Sequence, residues 1–118
     1  MNSRKLSVVF LSATHNQPFI ESAFNRINTS QRADIYNIRP TQFGVITFPV
    51  GHALVMSVEL PPNDGAIKLL KHLLELEVER FNEDTRIDLD EPKIIDDPQN
   101  RVYDHPNGVD WALSQPDI

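Results

Sequence analysis

The chain has 118 residues, which suits one domain with a single hydrophobic core and is too short for two. It contains no cysteine, which excludes a disulfide framework, a thiolate zinc site and a cysteine nucleophile, and favours a reducing, cytoplasmic location. No apolar run reaches the roughly 18 residues that a membrane span requires, so we expect no membrane association.

The net charge of −6 is distributed unevenly along the chain. Residues 1–82 carry eight basic and seven acidic side chains, whereas residues 83–118 carry three basic and ten acidic ones. The acidity therefore belongs to the last third of the chain, and neither part contains a basic stripe. Because proteins that contact a phosphate backbone usually present such a stripe, we expect no direct binding to nucleic acid.

The first predicted elements are a buried strand, an amphipathic helix and a weak second strand. Residues 6–13 are apolar on both faces and rich in β-branched side chains, which is typical of a central strand covered on both sides. Asn16 is positioned to cap the helix, and Pro18 fits the first turn. Apolar side chains recur at helical spacing over residues 19–27, and residues 34–39 form the weak strand.

The next two elements are predicted to form a hairpin. Residues 43–48 and 53–60 are rich in β-branched and aromatic side chains, and residues 49–52 between them include Pro and Gly. Two such runs joined by a short Pro- and Gly-containing segment indicate antiparallel strands connected by a four-residue turn.

Residues 66–81 give the strongest helix signal, with Asn63 as the predicted N-cap. The apolar arc of this helix covers about 200°, wider than the roughly 100° that a helix with one buried side needs. Both sides of the arc are covered within the monomer in one interpretation. In the other, Leu69, Leu73 and Leu76 form a seam for a second copy or another protein, with Arg80 at its rim.

After this helix the chain becomes acidic and contains four prolines. Residues 93–95 are predicted to form a short last strand, and the rest to lie extended over the body with Tyr103 and Trp111 as anchors. We therefore predict an α+β domain over residues 1–96 and an extended acidic C-terminal segment over residues 97–118. The order β-α-β-β-α-β predicts a two-layer, ferredoxin-like split βαβ arrangement, an antiparallel sheet with two helices on one face.

This topology gathers polar residues at one end of the sheet. The loop after the first strand, the hairpin turn and the exit from the second helix share that end, so His15 is expected near His52 and Asp88. Two imidazoles and a carboxylate suit a divalent metal ion or general acid–base chemistry. No catalytic sequence pattern accompanies them, and the alternative is that both histidines are solvated loop residues. The four glycines are scattered and form no phosphate-binding loop, so no cofactor is expected.

These observations favour a small, non-enzymatic interaction or regulatory module that binds another protein, or a second copy of itself as a homodimer. The predicted contact residues are Leu69, Leu73, Leu76 and Arg80 on the second helix, and Tyr103, Asp104 and Trp111 in the acidic segment. One alternative is a metal-dependent hydrolase that uses His15, His52 and Asp88. Another is a structural subunit of a viral or cellular assembly.

Overall fold

The fold is α+β and is built on one four-stranded antiparallel sheet, as the order of the predicted elements indicates. The computed structural model describes residues 3–87 and 89–118. The strands are β1 (Arg4–Ser12), β2 (Arg39–Phe48), β3 (Gly51–Leu60) and β4 (Lys93–Asp96). Over the same residues there are five helices: α1 (Gln17–Asn28), α2 (Gln31–Ile35), α3 (Asp64–Thr85), α4 (Arg101–Asp104) and α5 (Gly108–Ser114).

The strand order is β2-β3-β1-β4, with β1 in the middle of the sheet and β2 and β4 at its edges. Strand β1 is antiparallel to both β3 and β4, and β2 is antiparallel to β3. It follows that β1 and β2 run in the same direction with β3 between them. Likewise, β3 and β4 run in the same direction with β1 between them.

One face of the sheet packs against α1 and α3. Alternate residues of β1 and β3, among them Val8, Phe10 and Met56, are buried on this face because side chains of a strand alternate between its two sides. The rings of Phe19 and Phe81 meet edge-on, with their centroids 5.0 Å apart, and join the two helices above the sheet. The wide apolar arc of α3 therefore faces both the sheet and α1.

The other face of the sheet is covered by α4 and α5, so the prediction of an extended C-terminal segment was wrong. Val9, Val55 and Ile95 are buried beneath the two helices, which contribute Val102, Val109 and Ala112 to a second core. Gly108 is the first residue of α5. A Cβ atom at this position would lie only 2.5 Å from the carbonyl oxygens of Arg101 and Val102 in α4, too close for any side chain. The absence of a side chain there allows the two helices to approach closely.

The buried side chain of Asp97 explains why α4 forms where it does. One carboxylate oxygen accepts hydrogen bonds from Ser7 Oγ of β1 (2.8 Å) and from the backbone N–H of Val102 (3.1 Å). The other accepts from the backbone N–H of Arg101 at 2.6 Å. These amides are the free donors of the first helical turn, so Asp97 both starts α4 and attaches it to the central strand.

Three local predictions are also corrected. Residues 31–35 form α2 where a weak strand was expected from residue 34, because Ser30 Oγ accepts from the N–H of Ala33 at 3.2 Å and caps a short helix. Asn16 stands at the N-cap of α1 but does not cap it, since its side chain donates to Ser12 Oγ instead. The hairpin turn has two residues, 49–50, because β3 begins at Gly51.

Candidate functional site

The predicted seam on α3 is largely covered within the monomer. Leu69 is only 7% exposed and belongs to the core, and Leu73 is half-buried against that core. Leu76 is 37% exposed and lies at the margin. Leu69 is therefore not available to a partner. Most of the apolar arc of α3 is covered within the monomer, by α1 and the sheet.

Arg80, the predicted rim of that seam, takes part in an ion-pair group between α1 and α3. The carboxylate of Glu77 lies 3.3 Å from Arg26 Nε and 3.6 Å from Arg80 Nη1. Burial raises the pKa of Glu77, and the charge of Arg26 partly counteracts this effect. Arg80 thus helps to compensate a partly buried carboxylate.

The aromatic residues of the acidic segment point towards the sheet. Tyr103 is half-buried beside Gly44, with its hydroxyl 3.5 Å from the carbonyl oxygen of Gln42. Burial raises the pKa of Tyr103 to about 12. Trp111 is also half-buried, with the guanidinium of Arg101 5.0 Å from its ring centroid. Both aromatic side chains anchor the segment on the sheet, whereas Asp104 is exposed.

The structure brings His15 and His52 together at the end of the sheet where the topology predicted them. Their rings meet edge-on with centroids 5.6 Å apart, and His52 Nδ1 lies 3.1 Å from Thr47 Oγ1. Asp88, the third predicted member of this cluster, lies outside the described residues. Over residues 3–87 and 89–118, no group of three or more His, Cys, Asp or Glu side chains is arranged to hold a metal ion.

A groove that sequence reasoning missed lies between α3 and β4 and has a volume of about 380 Å³. Its apolar floor consists of Val78 of α3, Ile94 of β4 and the adjoining Pro92. Val78 and Ile94 are buried, and Pro92 is half-buried. This volume falls within the range typical of ligand-binding clefts, so the groove can receive several side chains of a partner.

The rim of this groove is strongly acidic. It carries four carboxylates and one ammonium group, from Glu75, Glu79, Glu91, Asp117 and Lys71. Residues 71, 75 and 79 succeed one another at helical spacing, so α3 lines one wall with charged groups. Asp117 approaches from the end of the chain, where its Oδ1 accepts a hydrogen bond from the N–H of Ile94 at 2.9 Å.

The groove was missed because distant segments of the chain form it. The sequence indicates that residues 71, 75 and 79 lie on the polar side of α3, but it does not indicate that residues 91 and 117 lie opposite them. The only available signal was the acidity of residues 83–118, which carry ten acidic and three basic side chains. An apolar floor with an acidic rim suits a ligand that presents apolar groups flanked by positive charges.

No helix in the part of the chain that the structure describes is long and apolar enough to cross a lipid bilayer. Comparison with family models, curated proteins and solved structures found no match to this chain.

Proposed function

We propose that the protein is a non-enzymatic interaction module that binds a basic segment of a partner protein in the groove between α3 and β4. The main observation in support of this proposal is that the groove combines a buried apolar floor with four carboxylates and one ammonium group at its rim. A chain without cysteine also suits work in the cytoplasm.

The groove favours a partner segment in which apolar residues alternate with Lys or Arg. Apolar side chains of such a segment would lie over Val78 and Ile94, which line the groove. Its positive charges would meet Glu75, Glu79 and Glu91 in an arrangement that mainly sets specificity and association rate. Because these carboxylates are exposed, binding should weaken as the salt concentration rises.

Fluorescence anisotropy with a labelled peptide of alternating Lys and Leu tests this proposal. We expect binding at low salt, and weaker binding of a Glu–Leu or a Lys–Ser peptide, because these remove the charge match and the apolar contact respectively. The variant Glu75→Lys/Glu79→Lys should weaken binding about tenfold or more, since both side chains line the groove.

The matched control is Glu21→Lys/Asp34→Lys, which makes the same change in net charge at exposed positions on α1 and α2. It should change the dissociation constant less than about twofold, a shift below 0.5 kcal/mol. Equal losses in the two double variants would mean that the peptide senses only the overall charge of −6, and the groove would then be rejected as the site.

For the fold, we propose a ferredoxin-like sandwich to which α4 and α5 add a third layer. Two features support this assignment: the strand order β2-β3-β1-β4, and the packing of α1 and α3 on one face of the sheet. In this third layer, α4 and α5 hold the acidic segment against the sheet, and the residues after α5 place Asp117 at the groove.

A metal-dependent hydrolase is the second candidate function, and it is favoured by the contact between the rings of His15 and His52. Catalytic zinc sites generally use three protein ligands, and these two imidazoles supply two. A third ligand would have to come from a residue such as Asp88, from a substrate or from another molecule.

A further inference from the structure

The outer edge of β2 is the longest stretch of unpaired backbone at the border of the sheet. Strand β2 has ten residues and is bonded only to β3. Within the described chain, none of the backbone hydrogen bonds outside regular helices and strands involves residues 40–48. Thr41, Gln42 and Thr47 are exposed, and Gly44 is only half-buried, so the backbone is accessible from outside.

The opposite edge of the sheet is formed by β4, and part of its backbone is hydrogen-bonded to the last residues of the chain. Strand β4 has only four residues, and the end of the chain closes its outer side. The N–H of Ile94 donates to Asp117 Oδ1, and its carbonyl oxygen accepts from the N–H of Ile118, both at 2.9 Å. Proteins commonly cover or charge their edge strands in order to prevent unwanted pairing. The protein protects β4 in this way. On β2, a proline and an irregular pairing between Pro40 and Gln42 affect only the start of the strand, and residues 42–48 are left open.

The composition of β2 fits a second copy of the same strand. Residues 40–48 carry no charge, and the only charged residue of the strand is Arg39 at its first position. In an antiparallel pair of two β2 strands, the two Arg39 side chains lie at opposite ends, so like charges do not face one another. The half-buried side chains of Phe43, Val45, Ile46 and Phe48 would continue the apolar surface on both sides of the sheet.

We infer that β2 pairs with β2 of a second copy about a two-fold axis, which joins the two sheets into one of eight strands. Opposed residues in an antiparallel pair point to the same face, so the pairing preserves the alternation of side chains. The same surface is used by both copies, so the assembly closes as a dimer. The two acidic grooves lie beside β4, at the two outer ends of this sheet, and remain free.

Sedimentation velocity of the full chain over a wide concentration range tests the inference. We expect a monomer–dimer equilibrium without larger species, and slower amide exchange over residues 41–48 as the dimer forms. The variant Gln42→Lys/Thr47→Lys places one charge on each face of the edge strand and should raise the dimer dissociation constant at least about tenfold.

Thr14→Lys/Gln17→Lys is the matched control, because it changes the same residue types at exposed positions before and at the start of α1. This control should leave the dimer unchanged, and circular dichroism should show that both variants are folded. A chain that stays monomeric at every concentration would overturn the inference. So would a dimer that persists in Gln42→Lys/Thr47→Lys, or one that Leu76→Asp disrupts instead. None of these results would bear on peptide binding in the groove, which is measured separately.

Discussion

The buried carboxylate of Asp97 gives a sharp test of how the C-terminal segment is held. The side chain is 1% exposed and accepts three hydrogen bonds, from Ser7 Oγ and from the N–H groups of Arg101 and Val102. Replacement by Ala removes the acceptor for all three donors at once. It also removes a side chain that joins Ser7 of β1 to the first turn of α4.

The expected loss of stability follows from these three bonds. Each hydrogen-bond donor left unsatisfied in a buried site costs about 1–3 kcal/mol. The variant partly offsets this loss because it no longer incurs the desolvation cost of a buried carboxylate. We therefore expect Asp97→Ala to lower the free energy of unfolding by about 3 kcal/mol. Asp97→Asn keeps one acceptor oxygen and should lose less, about 1–2 kcal/mol.

Urea denaturation followed by circular dichroism measures these changes, with Asp96→Ala as the neighbouring control. Asp96 is exposed and bonds to Arg4 through both of its oxygens, a hydrogen-bonded pairing that holds the pKa of Asp96 below its usual range. An exposed ion pair contributes at most about 1 kcal/mol. If Asp97→Ala proves no more destabilising than Asp96→Ala, the hydrogen bonds of Asp97 do not secure α4.

Two further predictions concern pH and metal binding. Burial raises the pKa of Tyr103 to about 12 in the folded protein, whereas a tyrosine in the unfolded chain ionises at about pH 10. The free energy of unfolding should therefore decrease as the pH rises from about 10 to about 12. The difference in the free energy of unfolding between the wild type and Tyr103→Phe should change over that pH range. A constant difference would contradict the prediction that Tyr103 is responsible. If His15 and His52 form a metal site, Zn²⁺ titration by calorimetry should show binding that either His→Ala variant abolishes, whereas unchanged binding in both would eliminate the pair.

The body of the fold was predictable because its signals are local. Helix α3 has a sustained helical period, and Asn63 caps it as predicted by accepting from the N–H of Ala66 at 2.8 Å. The hairpin of β2 and β3 follows from two runs of β-branched and aromatic residues. Each of these elements contains enough residues for its periodicity to be read without knowledge of the rest of the chain.

The acidic segment was not predictable in the same way because its structure depends on distant residues. Helices α4 and α5 have four and seven residues, too few for a helical period to be distinguished from chance. What fixes α4 is Asp97, whose side chain bonds to Ser7 some ninety residues earlier. One signal could have indicated a third layer. The central strand β1 is apolar on both faces, and such a strand needs a cover on each side.

The central position of β1 has a consequence for the order in which the chain folds. Residues 4–12 are synthesised before both of their neighbours in the sheet, which are residues 51–60 and residues 93–96. The sheet cannot close before most of the chain has been made, and pairing between such distant segments slows folding. Until residues 93–96 are available, one edge of β1 has no partner strand. Incomplete chains should therefore be most prone to aggregation before residues 93–96 have been made and have paired with β1.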